Sequence, residues 1–351
     1  MKLKRTNEDN LLSKQINTLA GTVNRVVGLD VGRSGVKLAF TIGKEVKTKF
    51  FPSVVKPHHA ITFDQNPRMT EEDTVEVDGQ KYFVGDTAII QGATRSVGLA
   101  NNWLDGIEHK ALLIRAKKYL SSYGIVEPSL IVVGLPVSTY RSDATKLADQ
   151  VKQIFVGSKT IPVPQPYGVY QNEILTDDGK FSGQATAQGQ YAVIDFGHYS
   201  TDYMYMNGAT WVENSSGSSE GMYLAVETLV KNLSGEGITI NHLEAQDIIR
   251  ERRMKDMGEY RDMSNEVQTA LMATVKPILQ NANNYFGEKA RMLDKIIVAG
   301  GGGGLIYPNL KQKWKQTVLP DDPRFAVALG MRKFGVKSIH ENPKAFGVAE
   351  K

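Results

Sequence analysis

The chain has 351 residues, 41% of them hydrophobic and 23% charged, which places it among globular proteins large enough for two domains of ordinary size. Its 42 basic and 38 acidic side chains leave a net charge of +4, too mild an excess to argue for nucleic acid or a membrane surface. There is no cysteine, which removes disulfides, thiolate nucleophiles and cysteine-ligated metals and suits a reducing cytoplasm.

Residues 1–24 form a polar extension with no signal-peptide core, and a short helix is expected near Leu11 to Leu19. Two readings stay open for it: a loosely ordered arm, or a segment that docks on a neighbouring subunit. No apolar run approaches the roughly 20 residues that cross a bilayer, so a cytoplasmic location without membrane contact is expected. Val26 to Phe40 reads as two strands and TKFFPSVVKP as a third. Residues 73–89 read as a hairpin turning at Asp78-Gly79. Residues 105–123 have helical spacing, with Leu112, Leu113, Ala116 and Leu120 on one face. SLIVVGLPV (129–137) is a buried strand, a helix follows over 139–155, and TIPVPQPYGVY (160–170) is strand-like and proline-rich.

A second cycle opens with QYAVIDFGHYSTDYMYMNGATWVEN, again strand, glycine turn, strand. Helices are expected over 220–233, 242–256 and 263–286, then a strand running into five glycines, then a helix from about Arg324 to Phe334. The dense bases of RERRMKDMGEYR (250–261) read as a solvated helix face, and Met204, Met206, Met222 and Met272 as core filling. Both halves thus open with a hairpin carrying Asp and Gly at its turn. That coarse duplication suggests two α/β domains facing each other across a cleft.

Three glycine-rich strand ends need one explanation. They are Asp30-Val-Gly32-Arg33-Ser34-Gly35-Val-Lys37, Asp195-Phe-Gly197-His198-Tyr-Ser200-Thr201-Asp202, and Gly300 to Gly304. Glycine lets backbone N–H groups approach phosphate oxygens, so a hairpin from each domain could clamp a polyphosphate. Asp30 and Asp195 suit the waters of a magnesium ion, Lys37 the phosphate charge, and Ser34 a hydroxyl contact. A five-glycine run is entropically costly for a mere connection. Neither GxxxxGK[ST] nor a GxGxxG opening a helix is present.

The order of these motifs resembles the actin/sugar-kinase/heat-shock-chaperone ATPase superfamily. VDGQKYFVGDTA (77–88), VVGLPVSTYR (132–141) and DPRFAVALGMRKFG (322–335) lean toward bacterial actin-like proteins of the ParM/StbA type. One departure is Val327 or Ala328, where that type usually has Asn. The resemblance implies an actin-like α/β fold of two RNase H-like domains around a nucleotide cleft. Domain I would span 25–190, with a small subdomain at about 50–105 and completion by 325–351; domain II would span 191–324. It further implies ATP (or GTP) and Mg2+, with Asp30 and Asp195 on the magnesium waters. Gly32, Ser34, Gly35 and Lys37 would touch the β- and γ-phosphates, and Gly197, Ser200 and Thr201 would close from the other side. Gly300, Gly301, Gly302 and Gly303 would pass the α-phosphate and adenosine, and Gln165 would position the attacking water. Arg33 faces either phosphate or solvent, and His198 reads as a surface imidazole or strand-end cap.

The implied function is an ATPase that polymerises head to tail and moves plasmid DNA through a DNA-binding adaptor, without itself touching nucleic acid. Alternatives are another bacterial or phage cytoskeletal filament, or a small-molecule kinase, which needs a general base for a substrate hydroxyl. No clear Asp or Glu in a sugar-specificity motif supports the kinase. A chaperone would require a separate peptide-binding domain for which 351 residues leave no room.

Overall fold

The computed structural model describes residues 19–96, 102–183 and 188–348. Most of the helix expected near Leu11 to Leu19 lies outside these residues. The described chain begins with a short helix, α1 (Leu19–Val23).

An antiparallel meander follows: β1 (Val26–Val31), β2 (Gly35–Ile42) and β3 (Glu45–Pro52). All six residues of β1 are buried, as a strand covered on both faces must be. Next come β4 (Val55–Pro57), α2 (Pro67–Asp73), β5 (Thr74–Val77), β6 (Gln80–Val84) and α3 (Asp86–Ile90). These form a small three-stranded unit of order β4-β6-β5. Asp78 and Gly79 turn β5 into β6 with φ of 50° and 78°, the double positive φ that a two-residue hairpin requires. This unit is held to α4 (Ile107–Ser122) by a buried ion pair. Arg115 Nε donates to Asp73 Oδ1 at 3.0 Å, while the N–H and hydroxyl of Thr87 donate to Asp73 Oδ2 at 3.0 and 2.9 Å. Removing one partner of such a pair strands a buried charge. Arg115→Met is therefore expected to lose about 3–5 kcal/mol of stability in urea unfolding, far more than an exposed arginine would.

Two parallel strands, β7 (Leu130–Leu135) and β8 (Lys159–Pro164), complete the first sheet in the order β3-β2-β1-β7-β8, with α5 (Val137–Ile154) crossing between them. The helix α6 (Gln165–Ile174) then leads to a second sheet with the same plan. Its strands are β9 (Gln190–Phe196), β10 (Ser200–Asn207), β11 (Thr210–Trp211) and β12 (Gly217–Glu220), with β12 pairing on β10. After α7 (Tyr223–Gly235), α8 (His242–Glu251), the hairpin β13 (Arg253–Asp256) and β14 (Glu259–Asp262), and α9 (Ser264–Phe286), it is closed by two strands. These are β15 (Lys295–Ala299) and β16 (Thr317–Val318), which flank α10 (Gly303–Lys313). The order is β11-β10-β9-β15-β16. The last long helix is α11 (Ala326–Glu341).

The helices α6 and α11 pack between the sheets, and one apolar cluster joins Val26 and Leu130 of the first sheet to Val193 and Ile297 of the second through Val169 and Met331. A Cβ on Gly330 would fall 1.7 Å from the Gly168 carbonyl oxygen, so the close crossing of α6 and α11 depends on the missing side chain. The outer face of the first sheet is covered by α4 and α5, and that of the second by α9 and α10. These layers bring the two hairpin turns toward one another.

Two expected elements differ. The helix expected over 242–256 stops at Glu251, because Arg252 adopts φ 55° and the chain doubles back as β13 and β14. RERRMKDMGEYR is therefore mostly an exposed hairpin. Residues 160–170 are not one strand: the prolines sit on edge strand β8 and in the first turn of α6, both places where a missing N–H is tolerated. Met204 and Met206 are buried and Met222 half-buried, but Met272 is 64% exposed and is not core filling.

Candidate nucleotide cleft

The register of β1 on β2 places Asp30 directly opposite Lys37. Cross-strand neighbours share a face, and Lys37 Nζ sits 3.0 Å from Asp30 Oδ2. The other oxygen, Oδ1, accepts from Gln165 Nε2 at 2.7 Å. Asp30 is buried and Gln165 half-buried at the first position of α6. The turn itself is pinned by Ser53, whose N–H donates to the Ser34 carbonyl at 3.1 Å and whose hydroxyl donates to the Gly32 carbonyl at 2.5 Å.

The second hairpin repeats this register with one change of charge. Asp195 lies opposite Asp202, the same seven-residue spacing as Asp30 and Lys37. Two carboxylates facing across a ladder repel. Asp202 has donors around it: Val137 N–H at 2.8 Å, Ser200 Oγ at 2.8 Å and the Ser218 hydroxyl. Val137 opens α5, so this carboxylate also meets the positive end of an 18-residue helix. Burial raises the Asp202 carboxyl, and these hydrogen bonds oppose the rise. Asp195 has no such set. Burial first, then Asp202 and Asp30, push its carboxyl up to about 7, with Lys37 opposing.

Both hairpins open onto one cavity of about 1000 Å³, at the upper end of the range for small-molecule sites. Its wall includes Asp30, Gly32, Arg33, Ser34, Lys37, Gln165, Asp195, Gly197, Ser200, Gly300, Gly301 and Gly302. Gly35, Thr201 and Gly303 are not in that wall. Gly35 lies against the Phe50 ring, where a Cβ would fall 2.0 Å from a ring carbon. The buried Thr201 hydroxyl donates to the Glu220 carbonyl at 2.9 Å, and Gly303 is buried at the start of α10.

Three of the glycines have N–H groups already engaged within the protein. The N–H groups of Gly197, Gly300 and Gly302 already donate to the carbonyls of Ser200, Pro323 and Phe196. What Gly300 supplies is space and handedness: its φ is 86°, and a Cβ there would lie 2.3 Å from the Phe196 oxygen and 2.6 Å from Asp195 Oδ1. Gly301 is exposed with open space at its Cβ position, so backbone alone forms the wall there.

Residues 28–168 match the family of actin-like proteins, N-terminal domain, and residues 193–312 match the C-terminal domain of archaeal actin homologues of the MreB-like type. The chain belongs to the actin-like proteins. Solved structures share this actin-like fold. A 15-stranded ParM filament from Clostridium botulinum is 21% identical with a TM-score of 0.68, covering 88% of this chain and 98% of that one. The archaeal actin homologue Ta0583 is 22% identical with a TM-score of 0.69 over the same shares. The same homologue in complex with ADP is 21% identical, with a TM-score of 0.63 and coverage of 88% and 98%. No curated protein matches the sequence.

Several residues of this actin-like cleft went unassigned in the sequence reading. Asp202 had a signal, the repeated spacing from Asp195. Gln246, Arg250, Arg252 and Arg324 also line the cavity; Arg250 and Arg252 fall in the dense basic stretch noted above, but no motif picks out a single residue there. The Arg324 guanidinium packs 3.7 Å from the Phe50 ring centre, and burial lowers its pKa. His198 is neither a surface imidazole nor a simple cap. It is half-buried in the cavity wall with its ring edge-on to Tyr223, and burial together with Lys37 and His242 holds its pKa down to about 4. Arg33 stands in the cavity wall, with its guanidinium 3.9 Å from the centre of the Tyr199 ring.

Proposed function

We propose that this actin-like chain binds and hydrolyses ATP (or GTP) in the cleft and uses that cycle to build and dismantle a head-to-tail filament. The observation that carries this reading is the convergence of two like hairpins, Asp30–Lys37 and Asp195–Asp202, on one cavity whose third wall is a bare glycine backbone. On this reading the cleft divides domain I, residues 25–190 completed by 325–351, from domain II, residues 191–324. The sheet membership of the strands supports that division.

A divalent cation fits the charge of the site. Three buried carboxylates, Asp30, Asp195 and Asp202, converge here with Lys37 paired to Asp30, and burial, then Asp202 and Asp30, raise the Asp195 carboxyl. Among the described residues no three His, Cys, Asp or Glu side chains are grouped closely enough to hold a metal directly, so Asp30 and Asp195 would hold Mg2+ through its waters. The ion would supply neutralisation of phosphate charge. Lys37 and Ser34 would bind phosphate oxygens. Gln165, oriented by Asp30, would hold the attacking water in line, since phosphoryl transfer to water asks mainly for positioning.

The finer reading is plasmid segregation in the cytoplasm. The likeness to a clostridial ParM filament supports it. The partner would be a DNA-binding adaptor seated on a centromere-like repeat, in keeping with the mild net charge of +4. Sedimentation tests the filament: with ATP and Mg2+ the chain is expected to pellet above a critical concentration and to return to the supernatant as nucleotide is consumed. A chain that stays in the supernatant over a wide concentration range with hydrolysable and non-hydrolysable ATP would sink the filament reading.

A further inference from the structure

Arg33 lies in the turn between β1 and β2, and Tyr199 in the turn between β9 and β10, on opposite jaws of the cleft. The Arg33 guanidinium carbon is 3.9 Å from the centre of the Tyr199 ring and 5.9 Å from that of Trp103, so the cation is flanked by rings from two separate elements. An arginine serving only solubility would extend into water. This one is half-buried; burial lowers its pKa, and Tyr199 opposes part of that cost.

The stack does not stop at Tyr199. Tyr199 packs 6.2 Å from Tyr223, and Tyr223 stacks parallel to His242 at 5.9 Å with a 5° interplanar angle. Glu227 fixes both far members: the Tyr223 hydroxyl donates to it, and His242 Nε2 lies 2.5 Å away. Tyr199 is thus braced by α7 and α8, while Arg33 is carried by the turn that joins the strands bearing Asp30 and Lys37. Arg33, Trp103 and Tyr199 all line the cavity. Separating the two hairpin turns, which opening of the cleft requires, breaks the Arg33–Tyr199 contact directly.

We propose that Arg33 is a positioning residue that latches the cleft by stacking on Tyr199, so that it slows nucleotide release without touching the reacting atoms. The proposal rests on nucleotide occupying the cleft. A cation–π contact of this partly buried kind corresponds to roughly a tenfold effect on a rate or equilibrium.

The test uses the full chain and a fluorescent N-methylanthraniloyl derivative of ATP or ADP, with release followed by stopped flow. Arg33→Met and Tyr199→Leu are each expected to speed release about tenfold, and the double variant to be no more than about twofold faster than either. Tyr199→Phe keeps the ring and is expected to stay within about threefold of the original rate. Single variants that release nucleotide at the original rate overturn the latch, and so do fully multiplicative effects. If Arg33→Met speeds release and Tyr199→Leu does not, Arg33 acts on phosphate and the latch is wrong.

A second measurement needs no nucleotide. Because the chain has no cysteine, spin labels on Glu45→Cys and Glu259→Cys report the separation of the two sheets' units alone. Arg33→Met is expected to lengthen and broaden that distance distribution, and an unchanged distribution overturns the latch. Failure of the original chain to bind the labelled nucleotides would instead sink the nucleotide reading, leaving the distance measurement to decide the latch.

Discussion

ATP turnover by Gln165→Ala is expected to fall roughly 100-fold while nucleotide affinity stays within a few-fold of the original. The expectation follows from what Gln165 touches. Its Nε2 donates to Asp30 Oδ1 at 2.7 Å, and the opposite oxygen of Asp30 holds Lys37 at 3.0 Å. One carboxylate therefore aligns both a cation and an amide. With Nε2 engaged, the amide oxygen is the acceptor left for a water, and Gln165 stands in the cavity wall on the rigid first turn of α6. An uncharged amide cannot remove the proton outright, so its contribution is orientation, for which losses of about 10²-fold are typical when a positioning contact is removed. Single-turnover phosphate release, compared with fluorescent-nucleotide binding, separates the two effects. Filaments assembled by the variant should persist longer with ATP, since the chemical step that weakens them is slowed. Turnover within about threefold of the original would remove Gln165 from its assigned role.

How much of this was legible beforehand depends on the kind of interaction. The hairpins were legible because strand alternation and turn residues are local: Asp78-Gly79 has the φ values its dipeptide implies, and Asp30 faces Lys37 as two flanking strands require. The glycine run was legible as a special place but not in its mechanism. Whether an N–H is free for a ligand depends on distant carbonyls, and Pro323 claims that of Gly300. The start of α6 at Gln165 was hidden because prolines forbid a central strand but permit both an edge strand and a first helical turn; the choice between them was made by the sheet. The break at Arg252 was hidden for a different reason. Its left-handed φ, and those of Met257 and Gly258 in the next turn, fall on an arginine and a Met-Gly pair, and neither Arg nor Met is a usual turn residue. Arg33 could not be placed from sequence because its partner is about 165 residues away, on the opposite jaw.

Asp195→Asn should change the protein in opposite directions with and without magnesium. Burial, Asp202 and Asp30 raise the Asp195 carboxyl from 3.8 to about 7 in the folded, metal-free chain. The unfolded chain gives up this proton near the lower value, the folded chain near the higher. Between them the folded state binds more protons, so stability falls as pH rises through that window. The penalty is absent below about pH 4 and complete above about pH 7, where the shift corresponds to at most about 4 kcal/mol. Asparagine removes the charge and keeps the shape. In urea unfolding with a chelator present, Asp195→Asn is therefore expected to match the original chain at about pH 3, below the unfolded value, and to exceed it at about pH 8. Taking the difference between the two chains cancels the titration of carboxylates that do not interact with Asp195, leaving that of Asp195 and its neighbours Asp202 and Asp30. With magnesium and ATP the order should reverse, because the original carboxylate gains a cation to offset its burial, whereas the amide offers the ion no charge. The variant should thus lose most of its magnesium-dependent nucleotide affinity while being the more stable metal-free protein. A variant no more stable than the original at about pH 8 without metal would mean that Asp195 does not bear the cost of a charge buried beside Asp202 and Asp30. A variant that keeps full magnesium-dependent binding would mean that this cost serves no cation.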